Sequence, residues 1–408
     1  MIANNIMLPY ETCVGCSACM EICPKHCISM IPDDKGFLRP QIDVSQCIGC
    51  RSCLRVCQAE HPIDRNPAPN TVLAAQIKDK TALKNSSSGG IAWLLSKIII
   101  QRGGVVYGAC FDDKMIVRHQ RIATEDELNK LQGSKYVQSD LSKIYSSIKQ
   151  DLQAGLIVLF IGTPCQIGAI RKIFNHKYEC LITCDLICHS VSSPRLFADH
   201  IKVIEESFGK KVVDYRFRDK TIGWSYNLHK IIYNDGTASK HSYWNQCYKR
   251  LFFLGLIARE SCYHCPYSSL SRVGDISLGD YWGINSITNK FAEDIGVNVV
   301  FLNSTKGSQL WNQIQDQCFY IETELRPALQ KHLVMPCEKT AHVDAFWSYY
   351  TKASYKKTCE KFAGPYLYLT IRNRIKDFLV KKRFTTVQRN YPIGSVDLNR
   401  NHSSDVLV

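Results

Sequence analysis

Two copies of one cysteine spacing dominate what this chain can fold into. They are Cys13-Val-Gly-Cys16-Ser-Ala-Cys19-Met-Glu-Ile-Cys23 and Cys47-Ile-Gly-Cys50-Arg-Ser-Cys53-Leu-Arg-Val-Cys57. Each is a C-x2-C-x2-C-x3-C run, in which three thiolates at two-residue intervals wrap one loop around three corners of an iron–sulfur cubane. Gly15 and Gly49 let the backbone approach the sulfides. The fourth cysteine of each run opens a helix toward the other cluster. One cubane is therefore assigned to Cys13, Cys16, Cys19 and Cys57, and the other to Cys47, Cys50, Cys53 and Cys23. Zinc takes four ligands per site and gains nothing from a third cysteine at the same spacing.

This is the spacing of bacterial two-cluster ferredoxins, so residues 1–62 read as a small ferredoxin-type domain with two [4Fe-4S] clusters. Gln58 stands where a proline usually follows the last cysteine, and Cys27, outside both ligand sets, reads as a small buried residue. A module of this size moves electrons one at a time. Where they go must be set by the rest of the 408 residues.

Composition excludes several classes. Twenty cysteines packed at short intervals, with neither a charged n-region nor an apolar h-region over Met1 to Tyr10, argue against a secreted disulfide scaffold and for a cytoplasmic protein. No apolar run reaches the 18 or so residues of a membrane span. The formal net charge of +14 does not signal a nucleic-acid partner, because residues 351–408 hold 12 Lys and Arg against 4 Asp and Glu, whereas residues 1–62 hold 5 against 6. Cubanes held by four thiolates would each remove roughly two more units.

After the proline-rich segment His61 to Pro69 the pattern becomes alternating helices and strands. Lys84-Asn-Ser-Ser-Ser-Gly-Gly90 precedes a helical Ile91 to Ile100, and Val105 to Ala109 follows as a buried strand. A Ser/Gly loop at a helix start offers free N–H groups to phosphate oxygens, although it equally suits a capped helix. Leu156 to Ile161 is an apolar strand leading through Gly162-Thr-Pro-Cys-Gln166 into a helix, and a second such strand, Leu181 to Ile187, ends at Cys188-His189. Strand, tight loop and helix is how α/β sheets build cofactor sites. Cys262-Tyr-His-Cys265 is half a metal site, for which Cys165 and Cys188 could supply the missing ligands. Cys180, Cys184 and Cys188 have C-x3-C-x3-C spacing, which is not that of radical S-adenosylmethionine enzymes.

At these residues the chain resembles the coenzyme F420 hydrogenase/dehydrogenase beta-subunit family. The matching segments are Ser88-Gly-Gly90, Gly133-Ser-Lys-Tyr-Val-Gln-Ser139, Gly162-Thr-Pro-Cys-Gln166, Asp185-Leu-Ile-Cys-His189, Phe217-Arg-Asp-Lys220 with Gly223-Trp224, Cys262-x2-Cys265 and Gly279-Asp-Tyr-Trp-Gly283. Ser190 and Ser192 replace the family's usual glycine and proline. The resemblance, over roughly residues 10 to 310, implies an FAD-binding oxidoreductase with its own iron–sulfur centre in the larger domain. Flavin is the junction between one-electron clusters and a two-electron organic carrier or substrate, coenzyme F420 being one candidate. It implies flavin contacts at Ser88, Gly89, Gly90, Ser134, Lys135, Tyr136 and Thr163, with Lys135 answering the pyrophosphate or a reduced flavin's charge. It also implies a third cluster on Cys165, Cys188, Cys262 and Cys265, flanked by His189 and His264, which read as packed or surface histidines. No residue is assigned a catalytic role.

The expected fold class is α+β: the ferredoxin-type domain over 1–62, a linker over 63–80, and an α/β flavin-binding domain with a mixed sheet over 81–310, its two parts split near 155–180. A helical extension over 311–388 and a disordered tail over 389–408 complete the chain. Gly364 to Phe384 reads as a basic amphipathic helix, docked on its own domain in preference to an anionic membrane surface. The expected partners are a redox protein or catalytic subunit and an organic carrier or substrate. The alternative reading is an electron-transfer or docking subunit without activity of its own.

Overall fold

The computed structural model describes residues 8–174, 177–239, 242–291 and 294–365. The basic segment ending at Phe384 (from residue 366 on) and the tail 389–408 lie outside the described residues.

Both cysteine runs fold the same way. Gly15 (φ 66°) and Ser17 (φ 63°) in the first, and Gly49 (φ 69°) and Arg51 (φ 57°) in the second, turn the chain left-handed so that it circles back on its own thiols. Each loop ends in a short helix, α1 (Ala18–Glu21) or α2 (Ser52–Val56), and between them β1 (Ile28–Pro32) pairs antiparallel with β2 (Leu38–Ile42).

The larger part is organised on one eight-stranded mixed sheet. In chain order it comprises β3 (Thr71–Ile77), α3 (Lys80–Asn85), α4 (Ile91–Gln101), β4 (Val105–Phe111), β5 (Val117–Ile122), α5 (Leu128–Leu131), α6 (Ile144–Gln153), β6 (Val158–Gly162), α7 (Pro164–Phe174), β7 (Leu181–Leu186), α8 (Pro194–Phe208), β8 (Val212–Asp219), β9 (Leu228–Tyr233), β10 (Ala238–Ser239), α9 (Tyr243–Phe253), α10 (Glu260–Tyr263), β11 (Ile276–Asp280), β12 (Asn298–Leu302), α11 (Thr305–Asn312), β13 (Cys318–Thr323), α12 (Val343–Tyr350) and α13 (Tyr355–Phe362). The sheet order is β13-β3-β12-β11-β7-β6-β4-β5. Strands β11, β7, β6 and β4 run parallel, and the flanking strands are antiparallel to their neighbours.

Two elements revise the expected boundaries. Thr71–Ile77, inside the linker expected over 63–80, is a strand buried between β13 and β12, because its apolar run can hide on both faces of a sheet. Cys318–Thr323, expected in a helical extension from 311, is the edge strand: Cys318 packs into one core and Ile321 against another, while Phe319, Tyr320 and Glu322 stay exposed.

Helices cover both faces of this sheet. Leu94, Leu95 and Ile99 of α4 pack with Leu310 and Trp311 of α11 on one face. On the other, Tyr145 and Ile148 of α6 and Ile167 and Ile170 of α7 pack on Tyr107 and Phe160, together with Ala18 and Val56 of the ferredoxin part. The small sheet β10-β9-β8 makes a third core with α8, α9, α12 and α13, and Phe37 joins it from the cysteine-rich part. A Cys247–Cys359 disulfide ties α9 to α13. Among the described residues no helix is long and apolar enough to cross a membrane.

Candidate functional site

The eight cysteines of the two runs gather as the spacing requires. Cys23, Cys47, Cys50 and Cys53 line one hollow, together with Cys27. Cys27 is buried, as expected, and its sulfur lies 3.4 Å from that of Cys23. In the other group, Cys19 feels the charges of Cys16, Cys13 and Cys57. Burial pushes the Cys16 thiol up to about 12, and the neighbouring Cys13 and Cys57 add to this. Thiols so placed stay protonated by themselves and become thiolates only against bound positive charge.

Four more cysteines converge in the larger part. Cys165 starts α7, Cys188 follows β7, and Cys262 and Cys265 flank the end of α10. Cys188 feels Cys262, Cys165 and Cys265, and burial holds its thiol well above the ordinary value. Burial and Cys265 push Cys165 up to about 11. Among the described residues no three His, Cys, Asp or Glu side chains draw together tightly enough for a single ion. A zinc ion, with Zn–S near 2.3 Å, would need such convergence, whereas ligands at the corners of a cubane stand farther apart.

Beside this group opens a cavity of about 280 Å³, at the C-terminal ends of the parallel strands, where α/β sheets carry their ligands. Of the expected flavin contacts, Ser88, Gly90, Ser134, Lys135, Tyr136 and Thr163 line it. Cys188 lines it as well, so the cavity and the third cysteine group share a wall. Gly89 does not line it. A Cβ there would lie 2.3 Å from the Ala75 carbonyl oxygen, so this glycine lets the loop lie against the sheet.

The side chains are already partly engaged. Ser88 donates to the Val297 carbonyl (2.9 Å), and Ser134 donates to Ser87 (2.9 Å). Lys135 directs its ammonium to the carbonyls of Lys130 (2.9 Å) and Gln132 (3.0 Å), and burial lowers its pKa. Thr163 Oγ1 lies 3.2 Å from Cys165 Sγ. Tyr136 stacks on Phe252 at 4.7 Å, forming an aromatic wall. Both histidines beside the third group were expected to be packed or at the surface. His189 is packed against Phe252 and His332, with burial driving its pKa down to about 3.

Arg218, to which the sequence assigns no role, is the least satisfied side chain in the cavity. Its Nη1 donates to Asp280 (2.6 Å) and Tyr136 (3.4 Å), and its guanidinium carbon lies 5.4 Å from the Trp282 centroid. Its Nε and Nη2 are buried with no partner among the described residues. Lys220 donates to the carbonyls of Leu83, Ser88 and Ile295 at 2.5–2.8 Å and thereby pins the Ser88 loop. The signal for both was present in the Phe217-Arg-Asp-Lys220 and Gly279-Asp-Tyr-Trp-Gly283 segments. What it lacked was the contact between the end of β8 and the end of β11.

Two groups of four cysteines, each drawn from paired C-x2-C-x2-C-x3-C loops and set against an α/β sheet, define an iron–sulfur electron-transfer protein. Residues 12–60 match the 4Fe-4S dicluster domain, and residues 156–327 match the C-terminal domain of the coenzyme F420 hydrogenase/dehydrogenase beta subunit. Residues 156–327 therefore carry the C-terminal domain of that beta-subunit family, and a 4Fe-4S dicluster domain stands in front of it. Among solved structures, a chain of the F420-reducing [NiFe] hydrogenase complex from Methanosarcina barkeri is similar over 73% of this chain and 93% of its own, at 17% identity and a TM-score of 0.43. A likeness that loose carries no argument about the site. No curated protein matches the chain.

Proposed function

We propose that this chain is an iron–sulfur flavoprotein oxidoreductase, with FAD in the cavity and a third [4Fe-4S] cluster on Cys165, Cys188, Cys262 and Cys265. The two kinds of cofactor together supply exchange between single electrons and the two-electron chemistry of an organic carrier or substrate. The observation that carries this reading is Cys188, which belongs to the third cysteine group and also lines the cavity. A ligand of the cluster would then touch the flavin's chamber, leaving no gap to bridge.

The chain's own residues would bind, orient and seal. Tyr136 and Phe252 offer a flat aromatic wall to a ring system. Arg218 offers two unused donors to a carbonyl edge or an anion. His119, held neutral by burial with its pKa lowered to about 4, closes the chamber between Ser139 and the Ile161 carbonyl. At the far end, exposed Cys50 and Ile48 leave the second ferredoxin cluster within reach of a partner protein.

Anaerobic purification with iron, sulfide and flavin quantified on one sample tests the reading. About twelve iron atoms and one FAD per chain are expected. Protein with its iron intact but no flavin would overturn the flavoprotein assignment, and about eight iron atoms would remove the third cluster.

A further inference from the structure

Arg259 is 1% exposed, among the largest fully buried side chains of the molecule. It immediately precedes α10, which carries Cys262, and its guanidinium crosses into the ferredoxin part. There Nε donates to the Cys13 carbonyl (2.7 Å), Nη2 to the Leu38 carbonyl (3.0 Å) and to Cys13 Sγ (3.6 Å), and Nη1 to Gln138 Oε1 (2.8 Å). None of these acceptors is a carboxylate. A buried cation without a counter-charge is strongly disfavoured. The first anion at hand is the Cys13 thiolate with whatever it binds; Cys262 and Asp33 lie farther off.

The equivalent cysteine of the second run, Cys47, sits in a different setting. The cations there are exposed: Lys25 and Arg51 line the hollow, and Arg55 donates to the Cys50 carbonyl (2.9 Å) and Ser52 (2.9 Å), where water and salt screen them. The cluster of Cys13, Cys16, Cys19 and Cys57 is also the one that faces the third cysteine group. Gln58 Nε2 donates to the Cys165 carbonyl (2.8 Å), and Gln58 Oε1 accepts from Tyr267.

We propose that Arg259 sets the reduction potential of the Cys13/Cys16/Cys19/Cys57 cluster above that of its Cys23/Cys47/Cys50/Cys53 twin. This rests on the cluster assignments above. Reducing a cubane adds one negative charge, and a fixed buried cation donating to a ligand sulfur stabilises that charge more than the oxidised form. Arg259 thus makes the inner cluster, at the junction with the larger domain, the place where an electron rests.

The test is an EPR-monitored redox titration of the full-length protein, purified anaerobically and reduced with dithionite. Cys13→Ser identifies the inner cluster's signal. Arg259→Met is expected to lower that cluster's midpoint by at least a tenfold change in its reduction equilibrium, about 59 mV, leaving the Cys23/Cys47/Cys50/Cys53 cluster in place. Arg55→Met is expected to move none. If Arg259→Met fails to assemble, Arg259→Lys is read instead, with a smaller downward shift expected because charge remains but the fork is lost. An unmoved midpoint, or one that moves for all clusters alike, at full iron content overturns the role of Arg259. Wild-type protein with fewer than about eight iron atoms per chain instead overturns the cluster assignments themselves.

Discussion

Arg272 and Asp185 form an ion pair sealed from solvent, at 1% and 0% side-chain exposure. Arg272 Nε and Nη2 both reach Asp185 Oδ1, while Asp185 Oδ2 accepts from the Gly274 backbone (2.7 Å). Arg272 also donates to the carbonyls of Tyr267 and Ser269. The pair therefore holds the loop following Cys265 against the end of β7, three residues before Cys188.

Arg272→Met is expected to cost about 3–5 kcal/mol, because it leaves the Asp185 carboxylate buried without a partner. Converting Asp185→Asn in the same chain should recover part of that loss. If the third cysteine group carries the proposed cluster, it should suffer first, and iron content is expected to fall by about four atoms per chain while the ferredoxin signals persist. Thermal melts and iron assays on the two variants check both points.

The two cysteine loops were legible from their spacing, except that Cys27, outside both runs, shares the hollow of Cys23, Cys47, Cys50 and Cys53. The strands β4, β6 and β7 and the helix α4 also announced themselves by apolar runs of the right length. Strand β3 was hidden by the prolines just before it, and β13 by the aromatic residues around it. Arg218 was invisible for another reason. Its importance lies in two donors left without partners, a property of packing between segments some sixty positions apart in the chain (Arg218 and Asp280). Likewise Gln58 read only as a missing proline, and its bond to Cys165 appears once the two parts are docked.

On the proposed reading, with FAD in the cavity, Arg218→Met is expected to weaken flavin retention by tenfold or more, the loss of a charge-assisted hydrogen bond of about 1.5–3 kcal/mol. Arg218→Lys should not restore it, because an ammonium cannot present the paired Nε and Nη2 donors. Fluorescence titration of deflavinated protein measures the change. Unaltered affinity would confine Arg218 to neutralising Asp280.

Acid should loosen the third core. His200 and His229 are both 0% exposed and lie on a chain of bonds from Tyr355 through His200 (3.0 Å) and Tyr215 (3.2 Å) to His229 (3.0 Å). Burial lowers His200 to about 3 and His229 well below its ordinary value. Unfolding lets both take up protons. Their contribution is therefore fully present above the unfolded value near 6.5 and falls as pH drops through that point toward the folded values. Each group removes about 1.4 kcal/mol per pH unit inside the window. Melts at pH 7 and 5.5 should show the loss, and His200→Gln should shrink proton uptake on unfolding by about one.

Gly168 separates two opposing effects on one helix. In the interior of α7 a change to alanine should favour the helix by about 1 kcal/mol. The added Cβ would, however, lie 2.5 Å from the Tyr267 hydroxyl and 2.6 Å from Gln58 Oε1, the two atoms that meet beside Cys165. Overpacking of that kind costs about 1–3 kcal/mol, so Gly168→Ala is expected to lower stability on balance. The sign should reverse in a Tyr267→Phe, Gln58→Ala background, where both obstructing atoms are gone and the next contact is Tyr267 Cζ at 3.2 Å. Denaturant melts of the four combinations give the coupling directly. A Gly168→Ala change that destabilises equally in both backgrounds would show that α7 is packed against something other than the Gln58–Tyr267 pair.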